Sequence, residues 1–358
     1  RCLSRFSRGS HSAVLATTDR RGAKRSQRTP DWNRNGCVTP CPSVSFERFI
    51  AASIRKDSMH VYARSLLLLA RTVAVPWRLP VCPTSPTMSI RGTPAPTVQV
   101  EADPEAVSQA LCKILEGEAS QSIRATGRFT FAISGGSMLS FLKQLDGATT
   151  VDWSKCTMGF VSHRCVPLDS DGATYHKARP AFLDSWVAQG LTVLCPTGTT
   201  DADKEAEAYE ASLRASVASD VRGLPSFDLC LIGVGLDGHV GSIYPNIPDV
   251  ESRRPIVPIT GMDGMGAIST KLSMSLPAMA ASKRSVGVCA GRSAKAPLGK
   301  AKAMVRALEA EETPMSFPAS ALRHAATWLL DEDSAMLLSE ATRGGGGGSA
   351  ASGKVTIY

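Results

Sequence analysis

The residues best suited to chemistry lie in Phe227-Asp-Leu-Cys-Leu-Ile-Gly-Val-Gly-Leu-Asp-Gly-His239-Val-Gly-Ser242, where an apolar run breaks into glycines and sets Asp237 two residues from His239. Histidine exchanges protons near neutral pH and a neighbouring carboxylate orients it, so this pair suits general-base catalysis. The plainer reading is a capping aspartate beside a solvated histidine. Gly233-Val-Gly235-Leu-Asp-Gly238 also satisfies a dinucleotide-binding spacing, but Pro245 follows seven residues later and leaves no room for the long helix that would carry a pyrophosphate.

Two further segments could grip an anion. Ser134-Gly135-Gly136-Ser137 lies between an apolar strand pattern and a helical one. Its glycines let backbone approach a phosphate, a helix start supplies free N–H groups, and the two hydroxyls add donors. The alternative is an ordinary tight turn. Ser162-His163-Arg164 ends another strand, and Arg164 there suits bidentate recognition of phosphate or carboxylate, or a surface ion pair. Lys295, at the expected start of a helix, would reach the same anion or sit solvated.

Elements that would position these residues alternate. Strands are expected at Thr97–Val100, Phe129–Ile133, Cys156–Val161, Thr192–Leu194, Phe227–Ile232, Ser285–Ala290 and Thr327–Leu330. Between them lie a helix capped by Asp103, with Pro104 at its first position, and helical patterns at Met138–Leu145, from Asp201 to about Val217, and from about Lys295 to Leu308. A short closing helix follows the last strand. This alternation predicts an α/β, Rossmann-like three-layer fold: a mostly parallel central sheet with helices on both faces.

Charge divides the chain. Residues 1–100 hold 16 of the 40 Lys+Arg but 4 of the 32 Asp+Glu, while residues 101–358 carry 24 and 28. The net +8 therefore belongs to the leader, and without a nucleic-acid-binding module it is weak ground for nucleic acid as a partner. The domain is expected over residues 97–340, behind a disordered basic leader (1–96) and ahead of a flexible Gly-rich tail (341–358). The leader, with Arg64, Leu66–Leu69 and Arg71, reads as a transit or signal peptide, or as untranslated sequence before Met88. A cytoplasmic location and a plastid or other organelle both stay open. The ten cysteines lack Cys-x-x-Cys pairs or histidine spacing suited to zinc, and those at 112, 230 and 289 read as small core residues of a reducing compartment. No apolar run approaches membrane-spanning length, so no membrane partner is expected.

Taken together, residues 97–338, about two thirds of the chain, resemble the 6-phosphogluconolactonases of the family that also contains the glucosamine-6-phosphate isomerases. The resemblance rests on Ser134 to Ser137, Gly159-Phe-Val-Ser-His-Arg-Cys-Val-Pro167, the Asp237-Gly-His239 segment with Pro245, Lys271 to Pro277, Gly291 with Lys295, and Trp328-Leu-Leu-Asp331. It implies hydrolysis of 6-phospho-D-glucono-1,5-lactone in the pentose phosphate pathway by a monomer, with no metal or organic cofactor. It also implies that His239 activates water, with Asp237 beside it, and that the phosphate sits against Ser134, Gly135, Gly136, Ser137, Arg164 and Lys295.

The chain departs from that family where Asp-Glu-Arg is usual, reading Ser162-His163-Arg164. Ser162 and His163 are expected as substitutes for the lost acids. Ala173-Thr-Tyr175 replaces Ser-Asn-Tyr or Ser-Thr-Tyr, and Lys271 replaces an arginine. These changes leave open a weakened or inactive relative that still binds sugar phosphates. An aldose-ketose isomerase or deaminase of amino-sugar phosphates needs a carboxylate base, and Ser242-Ile-Tyr244 stands where the isomerases carry Asn-Glu.

Overall fold

In the computed structural model, which describes residues 95–145, 150–262 and 268–344, the first element is an edge strand, β1 (Thr97–Glu101). Asp103 Oδ1 accepts from the Ala106 amide at 2.8 Å and starts α1 (Pro104–Thr126), which ends where Gly127 turns to φ 78°. Val107, Leu111, Leu115 and Ala119, spaced by four, form its buried stripe. Next come β2 (Phe129–Ile133), α2 (Ser137–Leu142), β3 (Cys156–Phe160) and β4 (Ser162–Arg164). The short helices α3 (Thr174–Ala178) and α4 (Asp184–Ala188) lead to β5 (Thr192–Val193) and α5 (Ala202–Ser216). The rest of the chain supplies β6 (Leu229–Gly233), β7 (Ile256–Met262), β8 (Ile268–Met274), α6 (Leu276–Ala280), β9 (Arg284–Cys289), α7 (Gly299–Leu308) and β10 (Ala326–Asp331). The closing turns are α8 (Glu332–Ala335) and α9 (Glu340–Arg343).

Seven strands make one parallel sheet in the order β1-β10-β9-β6-β2-β3-β5. Side chains alternate across it. Leu229 and Leu231 join the core under α1 and α2, whereas Cys230 and Ile232 join the core under α5 and α7. On the first face, Trp153 and Trp186 stack with centroids 4.1 Å apart, and Phe182 sits 4.3 Å from Trp186. Both faces are covered, as the alternating pattern implied.

The strand order decides where a ligand can enter. From β2 the chain moves to β3 on one side, and from β6 it moves to β9 on the other, although β2 and β6 are neighbours. Such a reversal leaves a crevice beyond the carboxyl ends of the two strands, the usual ligand site of open α/β sheets. Ser134 to Ser137 follow β2, and Gly235 to His239 follow β6.

Four features differ from the sequence expectations. A second, antiparallel sheet, β4-β8-β7, stands beside the first, with Val161 bridging the two by bonds to Ile133 and Met274. The helix expected at Met138–Leu145 tightens to 3₁₀ geometry from Lys143. The helix expected from Lys295 begins at Gly299, because Pro297 disfavours helical backbone before it and Ala296 closes a turn on Ser293. Residues 341–343, assigned to the tail, form part of α9, which Ser339 caps. The expected leader, apart from residues 95–96, and the glycine run from Gly345 lie outside the described residues.

Candidate active site

The turn after β6 is shaped by what cannot fit there. A Cβ on Gly235 would collide with the His239 ring and lie 2.6 Å from Asp237 Oδ1, so only glycine lets the ring fold over this backbone. Gly238 has φ 87°, and a Cβ on it would strike the Phe317 ring. Val240 bridges to Val234 and Ile243, which makes a tight looped turn instead of a helix and agrees with discounting a dinucleotide site.

Within this turn Asp237 Oδ1 lies 2.6 Å from His239 Nδ1 and also accepts from the His239 amide at 3.2 Å. A carboxylate can only accept, so Nδ1 carries a proton, and in the neutral ring Nε2 keeps its lone pair. The hydrogen bond from His239 holds the Asp237 carboxyl below its ordinary range, against an opposing push from partial burial. The His239 side chain is 33 % exposed, and its Nε2 has no hydrogen-bond partner among the described residues. The Tyr244 ring lies 4.8 Å away between centroids, and its hydroxyl accepts from Lys271 Nζ at 2.7 Å.

Across the crevice the loop after β2 is held by a bond from the Gly233 amide to Ser134 Oγ at 3.1 Å. Ser134 is buried and ties the two strand ends together, whereas Gly136 and Ser137 are exposed. Gly136 adopts φ 68°, and a Cβ on Gly135 would come 3.2 Å from Thr174. Gly136, Arg164, Thr174, Lys177, Ser242 and Lys271 line a cleft of about 230 Å³, and none of its described lining residues is acidic.

Arg164 on β4 stands directly opposite Lys271 on β8. Like charges across neighbouring strands destabilise a sheet, so an anion between them relieves a repulsion that is built in. Lys177 on α3 adds a third cation, exposed and without an ion pair among the described residues. A larger hollow of about 530 Å³ runs along α1 past Lys113 and Glu118, but none of the candidate site residues lines it.

Of the expected site residues, Gly136, Ser162, His163 and Arg164 line this cleft, whereas Ser134, Gly135, Ser137, Asp237, His239 and Lys295 do not. Lys295 is exposed on the turn before α7 and does not line the cleft. His163 borders the cleft but is only 2 % exposed. Its Nδ1–H donates to the Arg164 carbonyl at 2.6 Å, and its Nε2 accepts from the Tyr175 amide at 3.1 Å. Burial lowers its pKa, partly offset by the Arg164 carbonyl. Both nitrogens are committed, so His163 anchors α3 to β4 and cannot take over the work of a lost carboxylate without breaking those bonds. Ser162, half-buried, does line the cleft.

Lys177 has no signal in the sequence, being a lone lysine on a five-residue helix, whereas Thr174 lies in the Ala173-Thr-Tyr175 segment without a role assigned to it. Among the described residues, no group of three or more His, Cys, Asp or Glu is placed to hold a metal. No helix among them is long and apolar enough to cross a membrane.

Residues 102–330 match the family described as glucosamine-6-phosphate isomerases/6-phosphogluconolactonase. The chain is 31 % identical over 256 residues to a 6-phosphogluconolactonase of Rattus norvegicus, covering 69 % of this chain and 95 % of that protein. A probable 6-phosphogluconolactonase 3, chloroplastic, of Oryza sativa subsp. indica is 31 % identical over 158 residues, 42 % of this chain and 48 % of the rice protein. The solved 6-phosphogluconolactonase of Trypanosoma brucei superposes with a TM-score of 0.58 at 21 % identity, covering 69 % of this chain and 100 % of that one. The chain therefore belongs to the glucosamine-6-phosphate isomerase/6-phosphogluconolactonase family.

Proposed function

We propose that this protein hydrolyses 6-phospho-D-glucono-1,5-lactone to 6-phosphogluconate, the hydrolytic step of the oxidative pentose phosphate pathway. The observation that carries this reading is the 2.6 Å Asp237–His239 contact, which leaves the second ring nitrogen without a partner among the described residues, on a ring joined through Tyr244 to Lys271, one of three cations lining the cleft. The phosphate dianion lies against Gly136, Arg164, Lys177 and Lys271. As a water oxygen bonds to the lactone carbon, its proton passes to His239 Nε2 and the carbonyl π pair moves onto oxygen. When that pair re-forms the double bond, the carbon–ring-oxygen bond breaks and the ring oxygen takes the proton back from His239. A lactone is an activated ester, so one well-placed base supplies much of the acceleration needed.

An isomerase or deaminase would need a carboxylate base in the cleft, and none of its described lining residues supplies one. Replacement of the usual acidic pair by Ser162 and His163 favours one other reading, a relative that binds the sugar phosphate without turning it over. Base consumption on freshly generated lactone tests this: hydrolysis raises the rate above the spontaneous one, and no increase together with measurable 6-phosphogluconate binding would establish the binding-only relative. We place the protein in the cytoplasm as a monomer, with a plastid or other organelle as the alternative if residues 1–96 act as a transit peptide. The chloroplastic name of the rice relative supports that alternative. Sequencing the mature N-terminus and light scattering test compartment and mass.

A further inference from the structure

We infer that Tyr244 is a further catalytic residue: its phenol O–H, held by Lys271 beside His239, donates to the oxygen on the lactone carbon where negative charge develops. This deepens, and rests on, the hydrolytic reading above.

Three observations carry it. The Tyr244 and His239 rings lie 4.8 Å apart at 35°, so phenol and imidazole belong to one wall of the crevice. Lys271 Nζ donates to Tyr244 Oη at 2.7 Å and lies 4.7 Å from the ring centroid, which fixes both the ring and its oxygen at the cleft edge. An ammonium can only donate, so this bond uses a lone pair of Oη and leaves the hydroxyl proton for another acceptor. None of the described residues accepts it. A cation bound on the acceptor side polarises the O–H bond and makes it the stronger donor.

In the reaction the carbonyl π pair moves onto oxygen as water adds, and Tyr244 O–H bonds that oxygen without surrendering its proton. The pair returns when the ring bond breaks, and the same donor then faces a carboxylate oxygen of the product. Serine, at position 242, and backbone amides nearby do not share this combination of a held oxygen and an uncommitted proton: the Ser242 amide is already spent on Ser273 Oγ at 3.0 Å.

Tyr244→Phe keeps the ring against His239 and under Lys271 and removes only Oη. Loss of an oxyanion donor should lower kcat roughly a hundredfold. KM should stay within about twofold, since the bond strengthens only in the transition state. Calorimetry supplies a readout without turnover. Losing a bond to a charged group should weaken 6-phosphogluconate about tenfold, while D-glucitol 6-phosphate, which carries an alcohol at the same carbon, binds as before. Unchanged kcat, a change in KM alone, or equal weakening of both ligands would overturn the assignment. A wild type that binds 6-phosphogluconate but does not accelerate lactone hydrolysis defeats the hydrolytic reading, and the calorimetric difference then still decides whether Tyr244 donates to that oxygen. A wild type that binds neither ligand defeats both.

Discussion

His163 lies within β4 and His239 in the turn after β6, and only the second keeps a ring nitrogen without a partner among the described residues. His163 is enclosed, with one ring nitrogen donating to Arg164 and the other accepting from Tyr175. His239 is a third exposed, with one nitrogen tied to Asp237 and the other uncommitted. The difference is one of satisfaction: an imidazole whose nitrogens are both bonded in a buried place is a structural tie, and one with a single bond keeps a nitrogen for the base role proposed above. Neither state can be read from the residue type or from the strand before it.

Exchanging the two roles by mutation tests that contrast, and the largest effect should fall on His239→Ala. Losing the general base should cut the rate above background on the order of 10²- to 10⁴-fold, with the melting temperature little changed. Retained turnover would remove His239 from the mechanism. Asp237→Asn should cost roughly a hundredfold in kcat, the low end of the general-base range, because the amide still orients the ring but no longer stabilises its charged form. An unchanged kcat would make Asp237 merely a turn residue.

His163→Ala should act on stability instead, costing about 2–4 kcal/mol through a cavity and two orphaned backbone groups, read by denaturant midpoint. The sign with pH follows from its lowered pKa. Below about pH 6.5 the unfolded chain binds a proton that the folded imidazole resists, so wild-type stability falls on acidification through that range. The alanine variant lacks this dependence, and the gap between the two should narrow between pH 7.5 and 5. A constant gap would mean His163 is not held neutral. The smallest effect belongs to Lys177→Met. KM should rise about three- to tenfold with kcat nearly constant, and the difference should shrink in high salt because the side chain is exposed. A fall in kcat with KM unchanged would contradict a ground-state anion contact.

The parallel sheet was legible because each strand is a local apolar run and each long helix carries its own cap and stripe: Asp103 with Pro104, Asp201 with Lys204. The two turns at β2 and β6 were legible for the same reason, as glycines between two periodic patterns. The second sheet was not. In β8, Ser269, Lys271 and Ser273 interleave with Ile268, Leu272 and Met274, and pairing with β4 joins residues more than a hundred apart. That pairing sets Lys271 against Arg164, so the cation pair of the cleft was invisible until the chain was folded. Lys295 stands outside the cleft for a local reason written in the sequence: Pro297 delays the helix to Gly299 and leaves the lysine on an outer turn. The family resemblance singled out the turn after β6, but the fate of His163 hangs on a backbone amide twelve residues away.

The facing guanidinium and ammonium on β4 and β8 have a practical consequence. Two positive groups on facing strands repel each other, so any polyvalent anion that binds between them stabilises the folded protein. Phosphate or sulfate buffers should therefore raise thermal resistance while competing with substrate. A preparation that looks robust and sluggish in phosphate should look fragile and fast in a buffer of bulky organic ions.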